Sequence, residues 1–80
     1  MFIATPQQLG DAVRQARKAL RLTQAELADL AGCGVVFVTQ LEGGKATVQL
    51  DKVLSVLAVL DLQLALSPGN AAAPTSEPGA

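Results

Sequence analysis

The apolar positions at the start of the chain recur at intervals of three and four residues, which predicts an amphipathic helix within residues 5–22. Thr5 offers a hydroxyl that can cap the helix, and Pro6 suits the first helical position, where its missing N–H costs no hydrogen bond. The buried stripe of this helix is expected to hold four residues: Leu9, Val13, Ala16 and Leu20.

A second helix is predicted by the segment that begins at Leu22. Thr23 and Glu26 have the spacing of a capping box, in which each side chain bonds the backbone N–H of the other residue. Leu22 and Leu27 are placed to pack against each other across that cap as a hydrophobic staple. Gly32 supplies a left-handed C-terminal stop, so the helix is expected to be short.

The segment "GCGVVFVTQLE", residues 32–42, holds four consecutive large apolar residues and by itself resembles a buried strand. No partner strand is available nearby, and a helix capped by Gly34 places Val38 and Leu41 on one face. Two short helices joined by a glycine-containing turn form a helix-turn-helix motif. Context therefore favours a helix over the local β propensity.

A further helix is predicted from residue 50 onward, with apolar residues at Leu50, Val53, Leu54, Leu57 and Leu60. Val56 and Val59 widen this stripe, so more than one packing neighbour is expected.

After Asp61 the apolar residues alternate strictly, which is the pattern of a strand. One strand needs a partner, and the chain offers only residues 2–4. The same segment of a second subunit is the better partner because a two-fold axis pairs like with like. Leu62, Leu64 and Leu66 are therefore predicted to mediate dimerisation.

The end of the chain, residues 67–80, contains Pro, Gly, Ala and Ser without a large apolar side chain. Such a segment cannot bury enough surface to offset its ordering entropy, so a disordered tail is predicted. It is either passive, a segment that orders on a partner, or a handle for a protease. Residues 1–66 are expected to form one domain.

The composition excludes several function classes. The chain has 80 residues, a net charge of −1, no histidine and one cysteine, Cys33. An intrachain disulfide is impossible, and no metal site, cofactor or catalytic group is expected, so we predict that the chain is not an enzyme. Neither a membrane span nor a signal peptide is recognisable, which favours a cytoplasmic location.

The distribution of charge is more informative than its sum, because all six basic residues lie within residues 1–52. Four of them recur at helical spacing on the first helix: Arg14, Arg17, Lys18 and Arg21. This row is either a solvated face or an edge that faces phosphates.

"TQAELADLAG" followed by "VTQLEGGK" resembles the helix-turn-helix of phage-repressor/Cro proteins, over about residues 7–60. With "VQLDKVLSVLAVL", the strand "LQLAL" and the tail, the chain is most similar to HipB-like antitoxins. These are repressors of kinase toxin–antitoxin operons. The resemblance implies an all-α bundle of four to five short helices with a C-terminal strand that pairs across a homodimer.

The resemblance also implies roles for individual residues. Val35 to about Glu42 would be the recognition helix in the major groove of a palindromic operator, and Glu42 would pair with Arg17. A HipA-like kinase toxin would be the protein partner. Seven residues are implied to contact double-stranded DNA: Gln24, Gly34, Val35, Val36, Thr39, Gln40 and Lys45.

The start of the recognition helix departs from that family, whose members usually have polar residues there. A valine can contact a thymine methyl group but cannot bond a base edge, whereas Gln40 can pair with adenine. The alternative is that Val35, Val36 and Phe37 pack within this protein or against a partner. The chain would then be an interaction module that has lost DNA binding.

Overall fold

The computed structural model describes residues 2–68 and contains four helices within them. These are α1 (Pro6–Ala19), α2 (Gln24–Ala31), α3 (Val35–Glu42) and α4 (Leu50–Val59). The predicted all-α fold is confirmed, and residues 35–42 are helical despite their β-branched side chains. Across the described range no helix has the length and apolar character that spanning a membrane requires.

Two helices begin with complete capping boxes. In α2, Thr23 Oγ1 accepts the N–H of Glu26 at 3.0 Å and Glu26 Oε1 accepts the N–H of Thr23 at 2.8 Å. At α1, Thr5 and Gln8 make the same reciprocal pair, each bond 3.1 Å long. The cap by Thr5 was predicted from the sequence, whereas its partner Gln8 was not. Both helix starts are therefore fixed by pairs of residues three positions apart in sequence.

All four helices end in the same hydrogen-bond pattern, in which a residue with positive φ follows the last helical turn. Glycine occupies this position after α2 (Gly32, φ 72°) and α3 (Gly44, φ 86°). After α1 and α4 the position is held by Arg21 (φ 60°) and Asp61 (φ 58°). Because a Cβ atom is disfavoured there, these two helix ends carry local strain.

The core is assembled from all four helices, and α1 and α3 approach each other closely at Gly10. A Cβ at this position would collide with the carbonyl oxygen of Leu41 and lie 2.8 Å from that of Glu42. Nine apolar residues are buried in the core: Val13, Leu27, Ala28, Val38, Leu41, Val53, Val56, Leu57 and Leu60.

Three residues predicted to be buried are exposed instead. Leu20 is the C-cap of α1, where the chain turns away from the core, and its side chain is 53% exposed. Leu50 and Leu54 are 63% and 45% exposed, because they lie on a side of α4 that the rest of residues 2–68 leaves open. The wide stripe of α4 is thus only partly covered within one chain.

Residues 62–66 do not form a strand within the described part of this single chain, and residues 2–4 do not pair with them. Leu62 packs partly against the core, whereas Leu64 and Leu66 are 55% and 93% exposed. Pairing with a second subunit stays a prediction. Most of the predicted tail, residues 69–80, lies outside the described residues.

Candidate nucleic-acid interface

Helices α2 and α3 are joined by the three-residue turn Gly32–Gly34. Gly34 is the N-cap of α3, with extended backbone angles and open space where a Cβ would stand. Val38 and Leu41 turn into the core. Four residues of α3 that were predicted to face DNA are exposed: Val35, Val36, Thr39 and Gln40.

A buried ion pair ties α1 to the last turn of α3. Arg17 Nε donates to Glu42 Oε2 at 2.6 Å, and Nη2 donates to Oε1 at 2.9 Å. Arg17 Nη1 also donates to the carbonyl oxygen of Leu22 at 2.8 Å, just before α2. The planar guanidinium therefore joins three elements through fixed, charge-assisted hydrogen bonds.

The ion pair changes the protonation equilibria of both partners. Burial alone raises the pKa of Glu42, but the hydrogen bonds from Arg17 and Gln24 and the charges of Arg17 and Arg14 outweigh it, so the pKa lies below its ordinary value. The hydrogen bond to Glu42 raises the pKa of Arg17 despite its desolvation. Both side chains are therefore charged at neutral pH.

Gln24, the first residue of α2, extends this network to α3. Its Nε2 donates to Glu42 Oε1 at 3.0 Å, and its Oε1 accepts the hydroxyl of Thr39 at 3.0 Å. The Thr39 hydroxyl also lies 3.0 Å from the carbonyl oxygen of Val35. Two residues predicted to contact DNA thus contact each other and hold α2 and α3 in a fixed relation.

Besides Arg17, three further cationic side chains lie around α3. Arg14 lines a small polar cavity together with Thr39 and Gly43 of the α3 region. Lys45, which follows α3, places Nζ 3.4 Å from Gln40 Oε1. Lys52 of α4 lies with Nζ 5.8 Å from the ring centroid of Phe37, within the range of a cation–π contact.

The position of Lys52 was not predicted from the sequence. Its neighbour Phe37 is half-buried against the core, which agrees with a packing role for that ring. No spacing rule connects residue 52 to residue 37, because the contact depends on where the assembled bundle places α4 relative to α3. The sequence therefore contains no signal for this contact, which becomes visible only once the helices are assembled.

A short capped helix, a glycine turn and a second helix with one buried and one exposed face define the helix-turn-helix class of proteins. Residues 8–67 match the helix-turn-helix domain family. The chain belongs to this family.

Among its relatives is the uncharacterised HTH-type transcriptional regulator y4mF of Sinorhizobium fredii (strain NBRC 101917 / NGR234). The two sequences are 47% identical over 69 residues, which cover 85% of this chain and 91% of the relative.

Solved structures with the same fold include HipB in two assemblies. The HipA–HipB–O2–O3 complex matches with a TM-score of 0.80 and 26% identity, over 88% of this chain and 99% of the other. The HipB–O4 20mer complex matches with a TM-score of 0.79 and 26% identity, again over 88% of this chain and 99% of the other. These similarities confirm the resemblance to HipB-like helix-turn-helix proteins.

The restriction-modification controller protein C.AhdI of Aeromonas hydrophila also shares the fold. It matches with a TM-score of 0.66 and 31% identity, over 72% of this chain and 84% of the controller.

Proposed function

We propose that the chain is a sequence-specific DNA-binding repressor that inserts α3 into the major groove of an operator. One observation carries this proposal: the network of Arg17, Glu42, Gln24 and Thr39 fixes α3 against its neighbours while the outward side of α3 remains exposed. A rigid, exposed helix of this kind is what base readout requires. The similarity to HipB structures that contain O2–O3 or O4 supports it.

Within this proposal the residues predicted to contact DNA divide into two groups. Val35, Val36, Thr39 and Gln40 face base edges, because they lie on the outward side of α3, and Gly34 precedes them as the N-cap of that helix.

Gln24 and Lys45 contact phosphates at the two sides of the motif. Gln24 retains one amide N–H beyond its bond to Glu42, and Lys45 is exposed directly after α3. Arg14 and Lys52 add positive charge to the same region. Phosphate contacts of this kind fix the position of the protein but do not select a sequence.

We further propose that the repressor is a homodimer. Leu50, Leu54, Leu64 and Leu66 leave apolar surface exposed on one chain, and alternating leucines of residues 62–66 can pair with the same segment of a second copy. Sedimentation tests this directly. Leu64→Lys should give monomers, whereas Leu30→Lys, at an equally exposed apolar site on α2, should leave the dimer intact. A dimeric Leu64→Lys variant would refute the strand pairing.

The partner proposed for the dimer is a HipA-like kinase toxin, with which it represses its own operon as an antitoxin. This proposal rests on the similarity to HipB in the HipA–HipB–O2–O3 complex. Co-purification with the product of a neighbouring kinase-like gene, together with relief of that kinase's toxicity, would support it. Toxicity that is unchanged by coexpression would contradict it.

A gel-shift titration with the DNA upstream of the chain's own gene tests the repressor function. Binding should weaken steeply between low and physiological salt, because cations released from the DNA drive association. Absence of binding at low salt would contradict the proposal. The exposed apolar pair Val35 and Val36 favours a second candidate, a protein-interaction module, if DNA binding is absent.

A further inference from the structure

The exposed face of α3 has little hydrogen-bonding capacity left for bases. The hydroxyl proton of Thr39 is directed to Gln24 or to the carbonyl oxygen of Val35, both within the protein. The amide oxygen of Gln40 faces Lys45. Gln40 Nε2 is therefore the principal side-chain donor on this face, and the remaining exposed side chains, Val35 and Val36, are apolar.

We infer that Val35 and Val36 recognise the C5 methyl group of a pyrimidine in the major groove. The inference rests on the proposed DNA-binding function and specifies what the operator must display. Thymine carries this methyl group at the floor of the major groove, and 5-methylcytosine carries the same group at the same place. The ligand is thus the methyl group, whichever of the two bases supplies it.

The placement of the two valines fits this ligand. Val36 is 65% exposed and Val35 is 44% exposed, in the first turn of α3, where a recognition helix contacts base edges. Gly34 precedes them without a side chain, so that the first turn can approach the base pairs closely.

The positive charge along α3 indicates DNA rather than a protein as the occupant. Arg14, Lys45 and Lys52 lie around the same helix, and phosphates flank the major groove on both sides. A purely apolar docking site for a protein does not require this arrangement of cations.

The expected effect follows from the burial of one methyl group, which corresponds to about a fourfold change in affinity per contact. Removing one methyl from each half-site of a symmetric operator therefore changes the affinity of a dimer by roughly fifteenfold. Val36→Ala and Val35→Ala remove the matching protein methyl groups. Both sites are exposed, and alanine has the higher helix propensity, so the variants are expected to fold.

The experiment uses the full chain and duplexes selected by it from a random-sequence pool. In the best-binding duplex each thymine is replaced singly by deoxyuridine, which deletes the methyl group and keeps the base pair. At the contacted positions the Kd should rise about fourfold per methyl group. We call this rise in Kd the uracil penalty. In Val35→Ala or Val36→Ala the uracil penalty should become smaller or disappear. Gln40→Ala, on the same helix, should retain it.

A second arm separates the two sources of the methyl group. Replacing the contacted T·A pair by C·G should weaken binding, and replacing it by 5-methylcytosine·G should recover part of the loss. Full recovery would show that the methyl group alone is read. No recovery would restrict the ligand to thymine, with its O4 acceptor as a necessary part, and would overturn the claim that either base serves.

The outcomes distinguish this inference from the proposed function. If no sequence is enriched, the repressor function itself fails. If a sequence is enriched but every deoxyuridine duplex binds like its parent, the repressor function stands and methyl recognition is refuted. A uracil penalty that is equal in the native chain and in both valine variants would also refute it. In that case loss of a protein partner by the same variants would assign the valines to protein docking.

Discussion

Arg17 and Glu42 form a bidentate, buried ion pair that connects α1 to the last turn of the proposed recognition helix. The side chains retain only 10% and 3% of their exposure. Because Glu42 also accepts the amide of Gln24, this one carboxylate links α3 to both α1 and α2. A pair buried in this way is costly to break on one side only, since the remaining charge is left without a partner.

The first prediction concerns the removal of one partner. Arg17→Met should lower the free energy of unfolding by about 3–5 kcal/mol, because the Glu42 carboxylate stays buried without its counter-charge. Urea denaturation followed by circular dichroism measures the loss. The double variant Arg17→Met/Glu42→Leu should be more stable than Arg17→Met alone. If the double variant loses as much stability as Arg17→Met and Glu42→Leu lose together, the two side chains are not coupled.

The second prediction is an acid-sensitive stability. The pKa of Glu42 is lower in the folded chain than its ordinary value of 4.5, so the folded state binds a proton less readily than the unfolded state. The stabilisation is fully present above about pH 4.5 and is lost as the pH falls through the lowered pKa. Urea midpoints across pH 7 to pH 3 should fall in the native chain. Glu42→Gln should flatten this dependence while lowering stability at neutral pH.

The third prediction concerns Gly10. Alanine there gains roughly 1 kcal/mol of helix propensity, but its Cβ collides with the backbone of Leu41 and Glu42. Rigid backbone cannot yield as a side chain can, so Gly10→Ala should destabilise the chain by about 1–3 kcal/mol net. Thermal unfolding measures the change. Asp11→Ala, at the exposed neighbouring position, is the matched control and should have a smaller effect; a stabilised Gly10→Ala would contradict the close packing.

The fourth prediction is a stabilising substitution at the end of α4. Asp61 adopts φ 58°, which glycine tolerates without the cost of a Cβ. Asp61→Gly should therefore raise the free energy of unfolding by roughly 0.5–2 kcal/mol. Asp61→Ala removes the same carboxylate and keeps the Cβ, so it should not stabilise. Equal stabilisation by both variants would assign the effect to charge rather than to backbone strain.

The fifth prediction tests the cation that the sequence analysis did not identify. Lys52→Met keeps an extended apolar side chain next to Phe37 and removes the charge. Affinity for all DNA sequences should fall by a similar factor, and the slope of log K against log salt should decrease by about 0.9 if one phosphate contact is lost. A changed sequence preference would instead place Lys52 at a base.

The predictions from the sequence were accurate where a feature depends on residues that are close together along the chain. The capping box of Thr23 and Glu26, the left-handed Gly32 and the N-cap Gly34 depend on residues within one turn of each other. Val38 and Leu41 follow from helical periodicity. The resemblance to HipB-like proteins also implied the contact of Arg17 with Glu42, which periodicity alone could not supply.

The sequence by itself determined four short helices, the capped starts of α1 and α2 and the glycine turn, because these features need only local hydrogen bonds and the spacing of apolar residues. The tertiary structure decided which helix faces meet. Only the assembled chain shows that Gln24 forms hydrogen bonds with Thr39 and Glu42. It also shows that the backbone of α3 lies where a side chain at Gly10 would stand, and that Leu50 and Leu54 remain exposed. The physical reason is that burial and side-chain partners depend on distances between elements, which no local pattern specifies.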